Sequence, residues 1–399
     1  MNVRSNKFFS DVSNGLSSAT WAVPFALAVG CCSGAGLAFG FVPAVAASLF
    51  AGRRGDSLSA PSWLTLLLFG YAVSLTGAGG AALALIIGSL LAAAGFLLKP
   101  EFLKKFGESP VYTAFLLATA FLTTALQTTN YFGIGAEGSD IFSIMRSYIS
   151  LGFHANWRGV LYGTIVMVIM ITFPRKFKKF SRKISAPFIA LVVTLILNLF
   201  LNPVKDMTAI AEVGDYDTAL SFGMGHIYLK HIPLIIVSAA AFALMMITEK
   251  VRALDNEGVP NDKRAFVQLG AANFISAVLG GCAAAPLFVR RLGDTKEKPE
   301  TRVSTASGIV CAAVTACVYF FARPAVSRIP TASLAVVLIV FAWQYLGKGR
   351  LSACFKSGGK NIALFAFVVL LTLAAGPIIA LPVAAAIFVI TQYAQLKKQ

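Results

Sequence analysis

Apolar stretches recur along this chain almost without pause, and that recurrence constrains the fold more than any motif does. They run at roughly 14–32, 36–51, 62–77, 80–98, 111–129, 159–174, 185–201, 232–254, 264–280, 283–290, 303–321, 328–347, 361–376 and 378–396. A helix crossing the hydrocarbon core of a bilayer needs about 20 residues, range about 17–25. Several stretches meet that length. Two do not: 62–77 is short, and 283–290 is much too short. Hydrophobic residues make up 57% of the chain and charged ones 13%, against about 45–50% and about 25% in soluble domains. A soluble globule of 399 residues could not hide that much apolar surface. The content is too apolar for disorder, glycine shows no period, and six cysteines are too few for a disulfide scaffold. The expected fold class is an all-α integral membrane protein with 14 transmembrane segments.

The net charge of +17 has a matching explanation. The basic residues gather in the loops between apolar stretches, so nucleic acid is not the expected partner. With the N-terminus inside, 28 of the 34 Lys and Arg fall on inner loops and tails and 6 outside. Cytoplasmic loops collect basic residues, so the split predicts an even number of crossings. Both termini would be cytoplasmic in a multi-pass protein of the cell (inner) membrane. The polar start, Asn2 to Asp11, runs into further spans, which reads as a first span rather than a cleaved leader.

Enzymatic and metal chemistry find little support. His154, His226 and His231 lack ligand spacing, and the cysteines form no CxxC. GxSxG, HExxH and P-loop motifs are absent, and no helically spaced carboxylate pair lies within an apolar stretch. The expectation is a protein that is not an enzyme and needs no metal or cofactor.

Two stretches match each other. Ser59-Ala60-Pro61-Ser62-Trp63-Leu64 opens the third segment, and Ala284-Ala285-Pro286-Leu287-Phe288-Val289 opens the tenth. Each is a run of small residues, then proline, then a short apolar helix. Dividing the chain into seven plus seven segments, 1–201 and 231–399, makes each the third of its half. Seven is odd, so the second half enters from the opposite face, giving an inverted repeat. Interrupted segments at matching positions of two halves point to a transporter's binding site. Proline suits a first helical turn, and the amides after it lack intrahelical acceptors. Two such starts near the midplane would offer free donors and positive dipole ends to an anion. Glu249 lies near the inner end of the eighth segment, where an ionisable group carries a functional expectation. Snorkelling, or pairing with Lys250 or Arg252, is the alternative. Arg290 and Arg291 end the tenth segment, either adding positive field or anchoring the loop.

These stretches resemble the SulP family of anion transporters. Gly15 to Ala28 is similar to the family's first helix, Ser59-Ala60-Pro61-Ser62 to its "SGPT" start of the third segment, and Glu249 to its acid of the eighth. Gly270-Ala271-Ala272-Asn273 with Gly280-Gly281, Arg290, and Ser327 to Val340 resemble later family stretches in the same order. The resemblance implies a secondary transporter of a small inorganic or carboxylate anion working by alternating access. Its core domain would come from about 14–98 and 232–321, and its gate domain from about 111–201 and 328–396. The implied site holds the anion between the starts of segments three and ten. Ser62 Oγ and the amides of Ser62 and Trp63 would face those of Leu287 and Phe288 beyond Pro286, with Phe25 nearby, Arg290 adding field, and Glu249 as coupling or charge-balancing acid. It further implies a homodimer. Phe25 stands where the family commonly has Gln, Ser62 where it has Thr, and Trp63 where it prefers a small residue. One helical turn after the acid stands Ala253, where Na⁺-coupled relatives have a hydroxyl. Proton coupling is therefore expected ahead of Na⁺. The sequence stops after the last span, so the family's C-terminal STAS domain is expected to be lacking. A nucleobase or other organic-solute carrier on the same fold, with Phe25, Trp63 and Phe288 as stacking walls, and a non-transporting anion-responsive protein or channel are the alternatives.

Overall fold

The computed structural model describes residues 2–51, 58–133, 141–152, 155–181, 183–201, 212–215, 217, 226–257, 263–286, 304–346, 351–352, 354–355 and 359–396. Helix dominates. The helices are α1 (Asn2–Cys32), α2 (Ala38–Leu49), α3 (Trp63–Ala93), α4 (Pro100–Glu108), α5 (Pro110–Phe132), α6 (Ile141–Leu151), α7 (Trp157–Lys176), α8 (Lys178–Ser181) and α9 (Ala186–Leu201), then α10 (Ile232–Glu257), α11 (Lys263–Val278), α12 (Thr305–Phe321), α13 (Arg323–Val326), α14 (Thr331–Leu346), α15 (Gly359–Ala375) and α16 (Pro377–Leu396). Lipid offers no partner to a backbone N–H or C=O, so apolar segments close their own hydrogen bonds as helices.

Among the described residues, five helices are long and apolar enough to cross a membrane: Phe8–Cys32, Trp63–Leu97, Pro110–Phe132, Trp157–Lys176 and Leu229–Asp255. Other apolar helices, such as Ala38–Leu49 and Thr331–Leu346, are shorter. The second of the long helices is two pieces. Gly77 holds φ 76 and ψ 168 inside α3, a region open essentially to glycine alone. The break falls at the expected boundary between the stretches 62–77 and 80–98. The first piece, ending at Thr76, is only about 21 Å long at 1.5 Å per residue. It is too short to cross a bilayer core of about 30 Å. Four described helices have no counterpart among the apolar stretches: α4, whose charged residues share it with buried Leu103 and Phe106, α6, and the four-residue α8 and α13.

Elements from the two ends of the chain interleave. α3 packs along α10 and α11, α1 along α12, and α2 against α12 and α11. α5 packs on α14 and α15, α7 on α14, and α16 on α10 and α15. α1 touches α14 as well, through Phe25 and Phe341 with ring centroids 4.6 Å apart. Pro24, inside α1, has no N–H for the carbonyl of Thr20 four residues earlier. Ser185, just before α9, supplies the missing donor from its hydroxyl, and its own amide donates to Thr20 Oγ1 at 3.0 Å. Large apolar side chains on the outer helix faces, including Phe121, Phe200, Phe321 and Leu370, are exposed, as lipid-facing residues are.

Two described strands form a short sheet. β1 (Ser59–Ala60) and β2 (Ala285–Pro286) run antiparallel, with Ser59 opposite Pro286 and Ala60 opposite Ala285.

Candidate functional site

The two matched stretches of sequence meet at this sheet. Proline biases the residue before it toward extended backbone, so Pro61 fits Ala60 for a strand, and Ser62 continues extended at φ −139, ψ 172. On the other side, Gly280 at φ 79 ends α11, and the amide of Gly281 donates back to the carbonyl of Ser276 at 2.7 Å. The chain then runs extended into β2. Asn273 of α11 grips it by both backbone groups of Ala284, accepting from its N–H at 2.6 Å and donating to its carbonyl at 3.0 Å. Ser276 donates to the carbonyl of Cys282 at 2.7 Å, and the Cys282 amide donates to Phe39 of α2 at 3.0 Å. A buried strand of two residues cannot satisfy its flanking backbone alone; α11 and α2 do it instead.

α3 starts immediately after β1. Ser62 is its N-cap and forms a capping box: Thr65 N donates to Ser62 Oγ at 3.4 Å, and Ser62 N donates to Thr65 Oγ1 at 2.8 Å. The position of proline therefore differs from expectation. Pro61 precedes the cap rather than occupying the first helical turn, and Pro286 lies in a strand. The free amides differ too. The Ser62 N–H is already taken, leaving those of Trp63 and Leu64, in the first turn, without an intrahelical acceptor. Ser62 Oγ accepts from Thr65, so its own proton remains available to a ligand.

These groups border a narrow cleft lined by Ser62, Trp63, Leu64, Glu249, Ala285, Pro286, Phe341 and Tyr345. Trp63 is almost wholly buried and meets Tyr345 edge-on at 6.0 Å. Glu249 comes from α10. Its Oε1 accepts from Arg252 Nη1 at 2.7 Å and from the Tyr112 hydroxyl at 2.5 Å. Arg252 also donates to the Tyr345 hydroxyl at 3.2 Å, and its guanidinium lies 5.6 Å from the centre of the Tyr112 ring and 5.1 Å from that of Tyr345. Glu249 and Arg252 are 2% and 5% exposed, so this is a buried pair, where removing either partner is far costlier than at the surface. Their spacing of three residues puts them on one helix face.

Of the expected site residues, the structure brings Ser62, Trp63, Pro286 and Glu249 to one cleft. Phe25 stands behind it, packed on the lining residue Phe341. Leu287, Phe288 and Arg290 lie outside the described residues, as do Arg291 and His154. Snorkelling of Glu249 to the surface is corrected by its burial; pairing with Arg252 is what occurs. Lys250 and Arg252 are buried within α10. Arg252 was legible as the third residue after Glu249. Tyr112, Phe341 and Tyr345 carried no local signal, because only packing between distant helices brings them here. No group of three or more His, Cys, Asp or Glu that could hold a metal ion occurs among the described residues.

Comparison with known proteins agrees with this architecture. The model of the sulfate permease family matches residues 8–369. A Bacillus subtilis (strain 168) protein named for sulfate transport, YvdB, is 24% identical over 354 residues, which cover 85% of this chain and 64% of YvdB. The bicarbonate transporter BicA of a Picosynechococcus strain is 22% identical over 395 residues, covering 94% of this chain and 68% of BicA. The chain thus spans about two thirds of the length of these relatives. The solved transmembrane domain of a cyanobacterium bicarbonate transporter BicA shares the fold, with a TM-score of 0.74 at 20% identity over 95% of this chain and 98% of that one.

Proposed function

The chain belongs to the sulfate permease (SulP) family, and from that membership we propose that it is a secondary transporter carrying a small inorganic or carboxylate anion across the cell membrane by alternating access. The observation that carries the reading is the β1–β2 pair. It joins two stretches far apart in sequence beside a helix start with unclaimed amides. The anion sits in the cleft, on the amides of Trp63 and Leu64 and the hydroxyl of Ser62, facing the segment that follows Pro286. There, Leu287 and Phe288 supply the opposing amides and Arg290 adds positive field. Preorganised donors at a helix N-terminus favour negative charge without reorganising. Glu249 balances charge through Arg252 and is the coupling acid. The names of the relatives make sulfate and bicarbonate the first substrates to try.

In this reading the chain crosses the membrane 14 times as two inverted halves, 1–201 and 231–399. A core from about 14–98 and 232–321 moves against a gate from about 111–201 and 328–396. Both termini are cytoplasmic, and the working unit is a homodimer. Moving core against gate exposes the cleft to one side at a time.

Uptake of labelled sulfate and hydrogencarbonate into proteoliposomes tests the proposal, with Ser62→Gly as the informative variant. Glycine at an N-cap costs only a few tenths of a kcal/mol relative to serine, yet removes the hydroxyl. Saturable uptake of one anion, reduced severalfold in the variant, is the expected result. Wild-type protein that takes up neither anion, or a variant with unchanged uptake, overturns it.

A further inference from the structure

Glu249 spends one carboxylate oxygen on the protein and leaves the other over. Oε1 receives both Arg252 and Tyr112. Oε2 is buried and has no hydrogen-bond partner, on a side chain that lines the cleft and is 2% exposed. A buried polar atom left bare is costly, more so when charged. Paired with a guanidinium, Glu249 is a carboxylate, and a carboxylate only accepts. The donor that completes it must therefore come from whatever fills the cleft. Elsewhere in the cleft lining the needs are reversed: the first-turn amides of Trp63 and Leu64 have no intrahelical acceptor, and the Ser62 hydroxyl keeps its proton. A cleft lined both by donors and by a bare carboxylate oxygen is matched by an anion that is itself two-faced.

We infer that this site selects singly charged oxyanions that keep an O–H, with the hydroxyl donating to Glu249 Oε2 while the anionic oxygens take the α3 donors. The inference rests on the anion-transport reading and narrows its substrate class. Chloride, nitrate and fully ionised sulfate have no proton to give, so each turns lone pairs toward a carboxylate. Glu249 is then the residue that discriminates among anions of similar size.

Nitrate and hydrogencarbonate make a clean pair of probes, since both are planar, singly charged and isoelectronic, differing in the O–H. The full chain, purified in detergent at mildly alkaline pH, is titrated with each, and the dissociation constants are read from the shift in thermal midpoint. Hydrogencarbonate is expected to bind roughly tenfold or more tightly than nitrate. In Glu249→Gln, whose amide both donates and accepts, that gap closes. The wild-type ratio decides the matter even if this variant fails to fold. Equal binding, or tighter nitrate, overturns the selectivity and leaves the anion site standing. Binding of neither anion overturns both.

Discussion

Ser59 stands directly opposite Pro286 in an antiparallel pair only two residues long. Pro286 has no N–H, so it can only accept at this position. The ladder is weak by itself, and the neighbouring helices hold it. Its importance is positional: it fixes where α3 begins, and hence where the free amides of Trp63 and Leu64 lie.

Asn273 is the clamp on that arrangement. Asn273→Leu strips both backbone groups of Ala284 of their partner in a site that is 1% exposed. At about 1–3 kcal/mol for each unpaired buried group, a loss of about 2–6 kcal/mol is expected in thermal or denaturant unfolding. Asn273→Asp keeps the acceptor for the Ala284 amide and should lose less. Similar losses for the two variants would show that the clamp is not what holds Ala284.

Gly77 tests the break in α3. Open space surrounds the position where a Cβ would stand, so any penalty comes from the backbone. At φ 76, ψ 168 the conformation belongs to glycine rather than to the left-handed helical region that asparagine tolerates. Gly77→Ala and Gly77→Asn should therefore destabilise alike, by about 1–3 kcal/mol. A thermal midpoint for Gly77→Asn close to that of wild type would disprove the assignment.

The buried pair predicts a non-additive cycle. Arg252→Met leaves the Glu249 carboxylate uncompensated and should cost about 3–5 kcal/mol. Adding Glu249→Gln removes the stranded charge, so the double variant should be more stable than Arg252→Met alone. Unfolding measured on all four proteins gives the coupling directly, and simple additivity would contradict a paired interaction.

Lys104 and Asp255 form the contrasting case, a pair 2.7 Å apart with side chains 45% and 42% exposed. The hydrogen bond from Lys104 to Asp255, followed by the carboxylate's charge, raises the lysine above its ordinary value of 10.5. A group raised on folding contributes fully below its unfolded pKa and loses that contribution as pH climbs through the folded one. Melts of wild type and Lys104→Ala should thus differ by a small, constant amount from neutral pH up to the lysine range. The difference should shrink above it, and high salt should reduce it throughout. A gap that closes between pH 6 and 8 would assign the pH dependence to another group.

The sequence by itself determined the class of protein and the break in α3 between the stretches 62–77 and 80–98. Apolar length and basic-loop asymmetry are local or cumulative quantities, and both can be counted along a chain. The likeness between Ser59–Leu64 and Ala284–Val289 was visible in the same way, because small residues and proline dictate backbone shape wherever they occur. Ser62, Trp63, Pro286 and Glu249 could be nominated on that basis. Tertiary structure alone decided which groups remain available. Thr65 takes the Ser62 amide, Arg252 and Tyr112 take one oxygen of Glu249, and Tyr345 and Phe341 arrive from α14 to wall the cleft. Whether a polar atom is free depends on every neighbour that packs against it. Those neighbours come from helices hundreds of residues apart, whose meeting is set by the packing of whole faces and not by any local pattern.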